Sequence, residues 1–410
     1  MKKRDVYLSG PIHLATKAAL AALGLCLCLL SAIAQEPSAG KDWPKGAPAE
    51  FGFNADKLAA FDADLAAKKY GLVDSVLVLR CGTSVFDKSY KNDYAALYGQ
   101  LAQKEGPLNH DPHGPYNYFS TEFHPYYRGS DMHTMQSVTK TVTSITIGIA
   151  RTHNDFAVSL DTPIIKYFDA KKVANMDDRK KRITLRHLLT MTSGIAWHED
   201  LPYNDPRNSA DLMEASRDWV QYAIDQPMAN EPGAKWVYSS GDAQLLAHLF
   251  KKITGKNVDD YAAEHLFKPL GMHFYWKHTP TSLPDTEGGL YLSAHDLARI
   301  GQLFLKDGMW EGKAIVSSSW IKESTGAQMD TSIGNWKYGY LWWLQSFGSA
   351  LDDRAWVARG LGGQQLFVVP AYDMVIVFTG WDILPSDEAR PHDWLDRTLG
   401  TANRFFGCSE

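Results

Sequence analysis

Ser137, Val138, Thr139 and Lys140 stand in a Ser-x-x-Lys arrangement at the head of an apolar stretch. At an offset of three, the serine and the lysine share one helix face and lie within contact reach. That closeness has a chemical use. A serine hydroxyl is a poor nucleophile until a neighbour takes its proton. A lysine takes it only where burial or nearby positive charge lowers its pKa and keeps it partly neutral. Lys140 is the only lysine between Lys104 and Lys166, in a run largely free of charge. Burying it there is costly unless it has a partner or a purpose. The tetrapeptide alone is a common one. Its alternative, a surface helix with an incidental Ser and Lys, sits poorly with a helix apolar on nearly all sides.

Two further groups follow in order. Trp236-Val237-Tyr238-Ser239-Ser240-Gly241-Asp242 precedes a predicted helix. A phenol beside an ammonium ionises more easily and can pass a proton to a leaving group; taken alone, Tyr238 is equally an ordinary packing residue. Ala358-Arg359-Gly360-Leu361-Gly362-Gly363-Gln364 leads into a predicted strand. Glycines at a strand edge let a substrate approach the backbone, and an amide there, with that of Ser137, makes a pair of oxyanion donors. A plain glycine-rich hairpin turn fits the same residues. Other chemistry finds less support: there is no Gly-x-Ser-x-Gly elbow, and His198-Glu199 is a His-Glu-x-x-His that lacks its second histidine.

These groups need elements to position them. FGFNADKLAAFDADLAAKK has helical spacing with Asn54 as its cap, and DSVLVLRCGTSVFDKSY reads as a hairpin around Cys81-Gly82. Residues 91–129 form a long irregular stretch rich in Tyr, Pro and His, the kind of loop expected to cover or line a cleft. Its His110, His113 and His124 match no zinc or iron spacing, so neither metal nor cofactor is expected. Helical patterns then run through ITLRHLLTMTSG, DLMEASRDWVQYAIDQ, QLLAHLFKKITGK and LSAHDLARIGQLFLKDG. Strands follow in YGYLWWLQSF, RAWVARG, QQLFVVP and DMVIVFTG, and WLDRTLGTANRFF closes as a helix. The two strand-bearing ends make one antiparallel sheet only if they meet in space.

Residues 1–34 read as a secretory leader: Lys2, Lys3, Arg4 and Lys17, an apolar run, then Ala32-Ile33-Ala34. Residues 35–50 read as a tail and 51–410 as one domain, with its sheet part at about 51–135 and 285–410 and its helical part at about 136–284. A net charge of −5 without a basic cluster argues against nucleic acid, and beyond the leader no run is long enough to span a membrane. Cys81 and Cys408 are the cysteines outside the leader. An oxidising compartment allows their bridge if the chain ends are neighbours; two separate thiols are the alternative.

In the order and spacing of its three groups the chain resembles the class C β-lactamase-like serine hydrolases, within the penicillin-binding-protein/β-lactamase superfamily. ITLRHLLTMTSGI, YSSGDAQLLAHLFKKITGK and GGLYLSAHDLARIGQLFL carry the likeness, which covers nearly all of the chain after the leader. The resemblance implies an α+β fold, an α/β sandwich. Its antiparallel sheet would be flanked by the N- and C-terminal helices, with an inserted all-helical subdomain. It also implies Ser137 as acylated nucleophile, Lys140 as its base, Tyr238 as second acid/base, and the amides of Ser137 and Leu361 as oxyanion hole. Ser240, Arg359, Gly360 and Trp197 fall where substrate contacts are expected. Two departures stand out. Tyr238-Ser239-Ser240 replaces the family's common Tyr-x-Asn, and Ala358-Arg359-Gly360 replaces Lys-Thr-Gly. These favour an exported esterase or amide hydrolase acting on a small molecule, with weak or no β-lactam hydrolysis. A D-alanyl-D-alanine peptidase, a β-lactamase proper and a non-catalytic cell-wall sensor are the alternatives.

Overall fold

The computed structural model describes residues 43–203, 205–348, 353–384 and 394–408. The proposed leader and residues 35–42 of the tail lie outside them. Helix α1 (Ala55–Ala66) starts at Asn54, whose side chain accepts the Lys57 N–H at 2.9 Å. That cap satisfies one of the donors a helix start leaves open. Strands β1 (Val73–Arg80) and β2 (Thr83–Ser89) form the expected hairpin around Cys81-Gly82. Residues 91–129 hold a short helix α2 (Tyr94–Tyr98) and a series of turns before β3 (His133–Thr134).

The helical stretch contains α3 (Val138–Thr152), α4 (Leu185–Leu189), α5 (Ser209–Glu214), α6 (Trp219–Asp225), α7 (Ser240–Thr254) and α8 (Val258–Ala262). Strands β4 (Tyr275–Trp276) and β5 (Leu290–Leu292) complete a small sheet with β3, and α9 (Ala294–Leu305) follows. After the two-residue strands β6 (Met309–Trp310) and β7 (Lys313–Ala314) comes α10 (Ser318–Ser324). Strands β8 (Met329–Asp330), β9 (Lys337–Tyr338), β10 (Trp343–Ser346), β11 (Arg354–Gly360), β12 (Gln364–Val369) and β13 (Met374–Gly380) then lead to α11 (Trp394–Leu399).

The chain ends do meet. One eight-stranded antiparallel sheet runs β2-β1-β13-β12-β11-β10-β9-β8, with Leu77 opposite Val377 where the N-terminal hairpin joins the last strand. Every residue of β13 is buried, because both faces of the sheet are covered. On one face α9 lies close enough that a Cβ on Gly301 would stand 2.5 Å from a Val375 methyl. On the other, Phe378 packs against Phe61 of α1 and stacks on Trp394 of α11. Among the described residues no helix is long and apolar enough to cross a membrane.

Four local expectations change. DLMEASRDWVQYAIDQ is two helices, since Asp218 caps α6 by accepting the Gln221 N–H at 3.0 Å. YGYLWWLQSF breaks between β9 and β10 at Leu341, which has a φ of 60°. There the Leu341 N–H and C=O bond Leu189 O and Thr141 Oγ1 in place of a ladder partner. The closing helix ends at Leu399, where Gly400 begins a turn. Residues 91–129 do not line the main cleft. Their aromatic side chains are apolar enough to bury, and Tyr94, Tyr98, Tyr118 and Phe119 form a cluster with Trp381.

Cys81 and Cys408 are bridged across 327 positions of sequence. The tail reaches Cys81 because Arg80 holds it, donating to Asn403 O at 2.7 Å with its guanidinium 4.9 Å from the Phe406 ring centre. Closing so long a loop removes much of the unfolded chain's freedom. Cys81→Ser together with Cys408→Ser is expected to lower unfolding stability in urea by ~2–5 kcal/mol relative to the oxidised protein. An unchanged midpoint and slope would refute a stabilising bridge.

Candidate active site

The turn that presents Ser137 is assembled from both sides. The Met135 N–H bonds Leu290 O at 2.8 Å as β3 ends, and Gln136 adopts a φ of 48°, in the left-handed region. A non-glycine residue held there is strained and persists only where its surroundings impose it. Here the Gln136 amide donates to Thr134 Oγ1 at 2.8 Å, and the N–H groups of Val138 and Thr139 close back onto Met135 O and Gln136 O. Ser137 thus occupies the N-cap of α3, and Val138 through Ala150 are all buried.

Lys140 lies one turn inside, 1% exposed. Its Nζ donates to Ser137 Oγ at 2.9 Å and to Glu287 O at 2.8 Å, and lies 3.4 Å from Glu287 Oε2. The Tyr238 ring centre is 5.2 Å away. The electrostatics reverse the expectation of a depressed pKa. Burial does press Lys140 toward its neutral form, but its interactions with Tyr238, Glu287 and Glu199 outweigh it and raise the pKa. Lys140 rests as an ammonium. Burial likewise raises the Tyr238 phenol, against the pull of the nearby ammonium, so the phenol rests neutral.

Tyr238 comes from the segment before α7, which begins where Ser239 accepts the Asp242 N–H at 3.0 Å. Its ring stacks on Trp343 with centres 5.6 Å apart. Ser240 is placed differently from the expectation: it is absent from the cleft wall and fully buried behind it. Its Oγ lies 2.7 Å from Glu199 Oε1 and 3.0 Å from Glu287 Oε2. The Ser240 N–H and Trp197 Nε1 both donate to Glu199 Oε2 at 2.7 Å. The hydroxyl in the place of the family's amide is therefore engaged by carboxyl groups.

The cleft itself holds about 820 Å³ and includes Ser137, Tyr238, Trp197, Glu199, Arg359 and Leu361 in its wall. The Arg359 guanidinium sits 4.9 Å from the Trp336 ring centre and 5.8 Å from that of Trp343, a stacked cation on an aromatic wall. Gly360 is a glycine for a spatial reason. A Cβ there would lie 2.3 Å from Met135 O, so the end of β11 presses directly on the turn that carries Ser137. Leu361 follows at once. The amides of Ser137 and Leu361 have no hydrogen-bond acceptor among the described residues.

Ser137, Tyr238, Trp197, Arg359, Gly360 and Leu361 thus line one cleft, with Lys140 and Ser240 buried behind it. The carboxyl groups went unread in the sequence. Glu287 was visible only as a lone acid before GGLYL, and Glu199 only as half of a metalloprotease pattern. Glu214 also reaches this buried group, accepting from Tyr118 OH at 2.7 Å.

The family model described as Beta-lactamase matches residues 64–380. Among curated proteins, "Monacolin J acid methylbutanoyltransferase" of Aspergillus terreus is 32% identical over 27% of each chain. The chain thus spans about a quarter of the length of the first curated relatives it matches. "6-aminohexanoate-dimer hydrolase" of Paenarthrobacter ureafaciens is 23% identical over 62% of this chain and 68% of that one. The octameric penicillin-binding protein homologue from Pyrococcus abyssi superposes with a TM-score of 0.58 at 18% identity, covering 85% of this chain and 78% of that one. It supports the fold alone.

Asp242, in the first turn of α7, has neither carboxyl oxygen in hydrogen-bonding geometry with a donor, although Ser193 lies beside it. Burial pushes its pKa up to about 8. The folded protein therefore keeps a proton that the unfolded chain releases near the ordinary value, so this group's stabilising contribution is lost as pH rises through about 8. Asp242→Asn removes the titration. Between pH ~5 and ~8 the wild type is expected to lose stability relative to that variant, by ~1 kcal/mol per pH unit. Urea unfolding of both proteins across that range checks it, and parallel curves would refute it.

Proposed function

This chain belongs to the beta-lactamase family of hydrolases, and within it we propose a serine hydrolase that cleaves an ester or amide through an acyl intermediate on Ser137. The observation that carries the reading is the 2.9 Å contact of the buried Lys140 Nζ with Ser137 Oγ, in the wall of an aromatic-lined cleft. Ser137 Oγ attacks the substrate carbonyl as Lys140 takes its proton, and the developing oxyanion lies between the Ser137 and Leu361 amides. Tyr238, beside both Lys140 and Ser137, passes a proton to the leaving alcohol or amine. Water then repeats the sequence in reverse on the acyl-serine. Relatives named for hydrolysis and for methylbutanoyl transfer are compatible with an acyl group passing through Ser137.

Substrate preference follows from what stands around these residues. Ala358 is fully buried where family members acting on penicillins commonly have a lysine, and Ser240 is held by Glu199 and Glu287 where they commonly have an amide. No lysine ammonium on β11 is left to grip a β-lactam carboxylate. Arg359 and Trp343, side by side in the cleft wall, suit an apolar or aromatic acyl group. We place the enzyme outside the reducing cytosol: the reading of residues 1–34 as a leader and the Cys81–Cys408 bridge agree on an oxidising compartment.

The test compares wild type with Ser137→Ala on p-nitrophenyl esters, nitrocefin, D-alanyl peptides and short ω-amino amides, with fluorophosphonate labelling alongside. Wild type is expected to turn over esters or amides well ahead of nitrocefin. The variant is expected to lose label entirely and turnover by at least ~10³-fold. Full activity in the variant would refute the nucleophile. A wild type that is labelled yet releases no product from any substrate would favour a non-catalytic binder.

A further inference from the structure

Lys140 presents a difficulty for the reading above. As an ammonium it donates to Ser137, the wrong direction for a base, and it must lose a proton before it can accept one. Its surroundings contain one anion placed to take that proton. Glu287 Oε2 is 3.4 Å from Nζ, and the Glu287 backbone carbonyl, 2.8 Å away, fixes the ammonium against it. Both groups are buried and rest as an ion pair, so transfer between them leaves two neutral groups and strands no single charge in the interior.

The other side of Glu287 shows that protons are already shared there. Ser240 Oγ has one hydrogen and faces a carboxyl oxygen of Glu199 at 2.7 Å and of Glu287 at 3.0 Å. A hydroxyl donates once and can accept the second bond, so the second carboxyl must bring a proton of its own. Resting on the serine-hydrolase reading, we propose that Glu287 is the acceptor of the Lys140 proton. Ser240 and Glu199 extend it into a proton-sharing relay, so that Lys140 meets Ser137 as a neutral amine.

The proton count closes. An Nζ–H bond breaks and an Oε2–H bond forms on Glu287. Ser137 Oγ–H then breaks and Nζ–H re-forms while Oγ bonds the carbonyl carbon and the C=O pair moves onto oxygen. The oxyanion pair then returns, the bond from the carbonyl carbon to the leaving oxygen or nitrogen breaks, and Lys140 gives this second proton to that atom by way of Tyr238. In deacylation a water oxygen bonds the acyl carbon as its proton goes to Lys140, the acyl–Oγ bond breaks and Oγ takes that proton, and Glu287 then returns the first proton to Lys140. Glu287 acts through Lys140 and touches no substrate atom: it is a positioning residue.

The charges facing the relay agree with this. Against Glu287 stand Lys140 of α3, Glu199 and Tyr203 ahead of α5, Glu214 of α5, Tyr238 ahead of α7, Tyr116 and Tyr118 of the 91–129 stretch, and Lys277 and Asp285 ahead of β5. Against Glu199 stand Lys140, Tyr238, Tyr203, Tyr338 and Asp242. Burial raises Glu199 and, much further, Glu214, which rests protonated. Burial opposes the Glu287 anion too, but the Lys140 ammonium and bonds from Glu214 and Ser240 outweigh it, so Glu287 is the ionised member.

The experiment is the pH dependence of acylation, read as the p-nitrophenol burst, in wild type, Glu287→Gln, Glu287→Asp and Ser240→Ala. In wild type the Lys140–Glu287 pair needs one proton in total, so the acidic limb follows the low Glu287 pKa. In Glu287→Gln bulk water must deprotonate Lys140. The acidic limb is expected to move up by more than ~2 pH units, with acylation at neutral pH falling ~10²-fold and KM little changed. Glu287→Asp restores the limb in large part. Ser240→Ala, which strips Glu287 of a donor, moves it up by about one unit. A limb unmoved in both Glu287→Gln and Ser240→Ala, whatever the rate, overturns the relay. If Glu287→Gln does not fold, the Glu287→Asp and Ser240→Ala profiles decide by the same criterion. Fluorophosphonate labelling of wild type separates the two levels: an unlabelled Ser137 sinks the hydrolase reading, while a labelled Ser137 with unmoved limbs sinks only the role of Glu287.

Discussion

An ammonium group in a dry interior has to be answered by negative charge, and much of this protein is arranged around one. Lys140 is drawn under by its own helix, since α3 is buried along nearly its whole length. Removing a charge of this kind from water costs several kcal/mol, recovered only through well-placed partners. Those partners come from distant parts of the chain: Glu199 from the segment before α5, Tyr238 from the one before α7, and Glu287 from the one before β5. Whatever holds Lys140 therefore also holds the helical segments to the small sheet and to the Ser137 turn.

The large sheet supplies the other half of the site. Pairing of β1 with β13 brings the two chain ends together, and the Cys81–Cys408 bridge and Arg80 secure them. The same sheet carries β11, whose last residue, Gly360, presses on Met135 next to the nucleophile turn. Two amides far apart in sequence, of Ser137 and Leu361, are set at one cleft by that contact. Strain at Gln136 is sustained by it, because the turn is fixed by β3 and β5 on one side and by the edge of β11 on the other.

The chemistry at the back of the cleft differs from what the frame of the family leads one to expect. Where an amide side chain and a strand lysine would face a substrate, this protein has a buried hydroxyl between two carboxyl groups and an arginine laid on tryptophans. Positive charge at the cleft is moved to Arg359, and negative charge is gathered around Lys140. Catalysis of acyl transfer depends on when each proton moves, so exchanging an amide for a carboxyl pair alters the proton inventory as well as the shape of the site.

Local pattern was enough to read the Asn54 cap, the hairpin at Cys81-Gly82, the apolar helix behind Ser137 and the strands β11 to β13, because each rests on neighbours in sequence. The offset of three between Ser137 and Lys140 likewise follows from helix geometry alone. The state of charge did not. It depends on Glu199, Tyr238 and Glu287, brought to Lys140 by chain folding from as far as 147 positions away, and no short pattern marks them. For the same reason the sequence presented Ser240 as a cleft residue and residues 91–129 as a cleft loop, whereas packing turned both inward. The sequence by itself determined the offset of Ser137 and Lys140 on one helix face and the main elements that carry the site. Only the tertiary structure decided which side chains surround the lysine and so whether it rests charged, since a pKa is set by burial and by charges a few ångströms away in space.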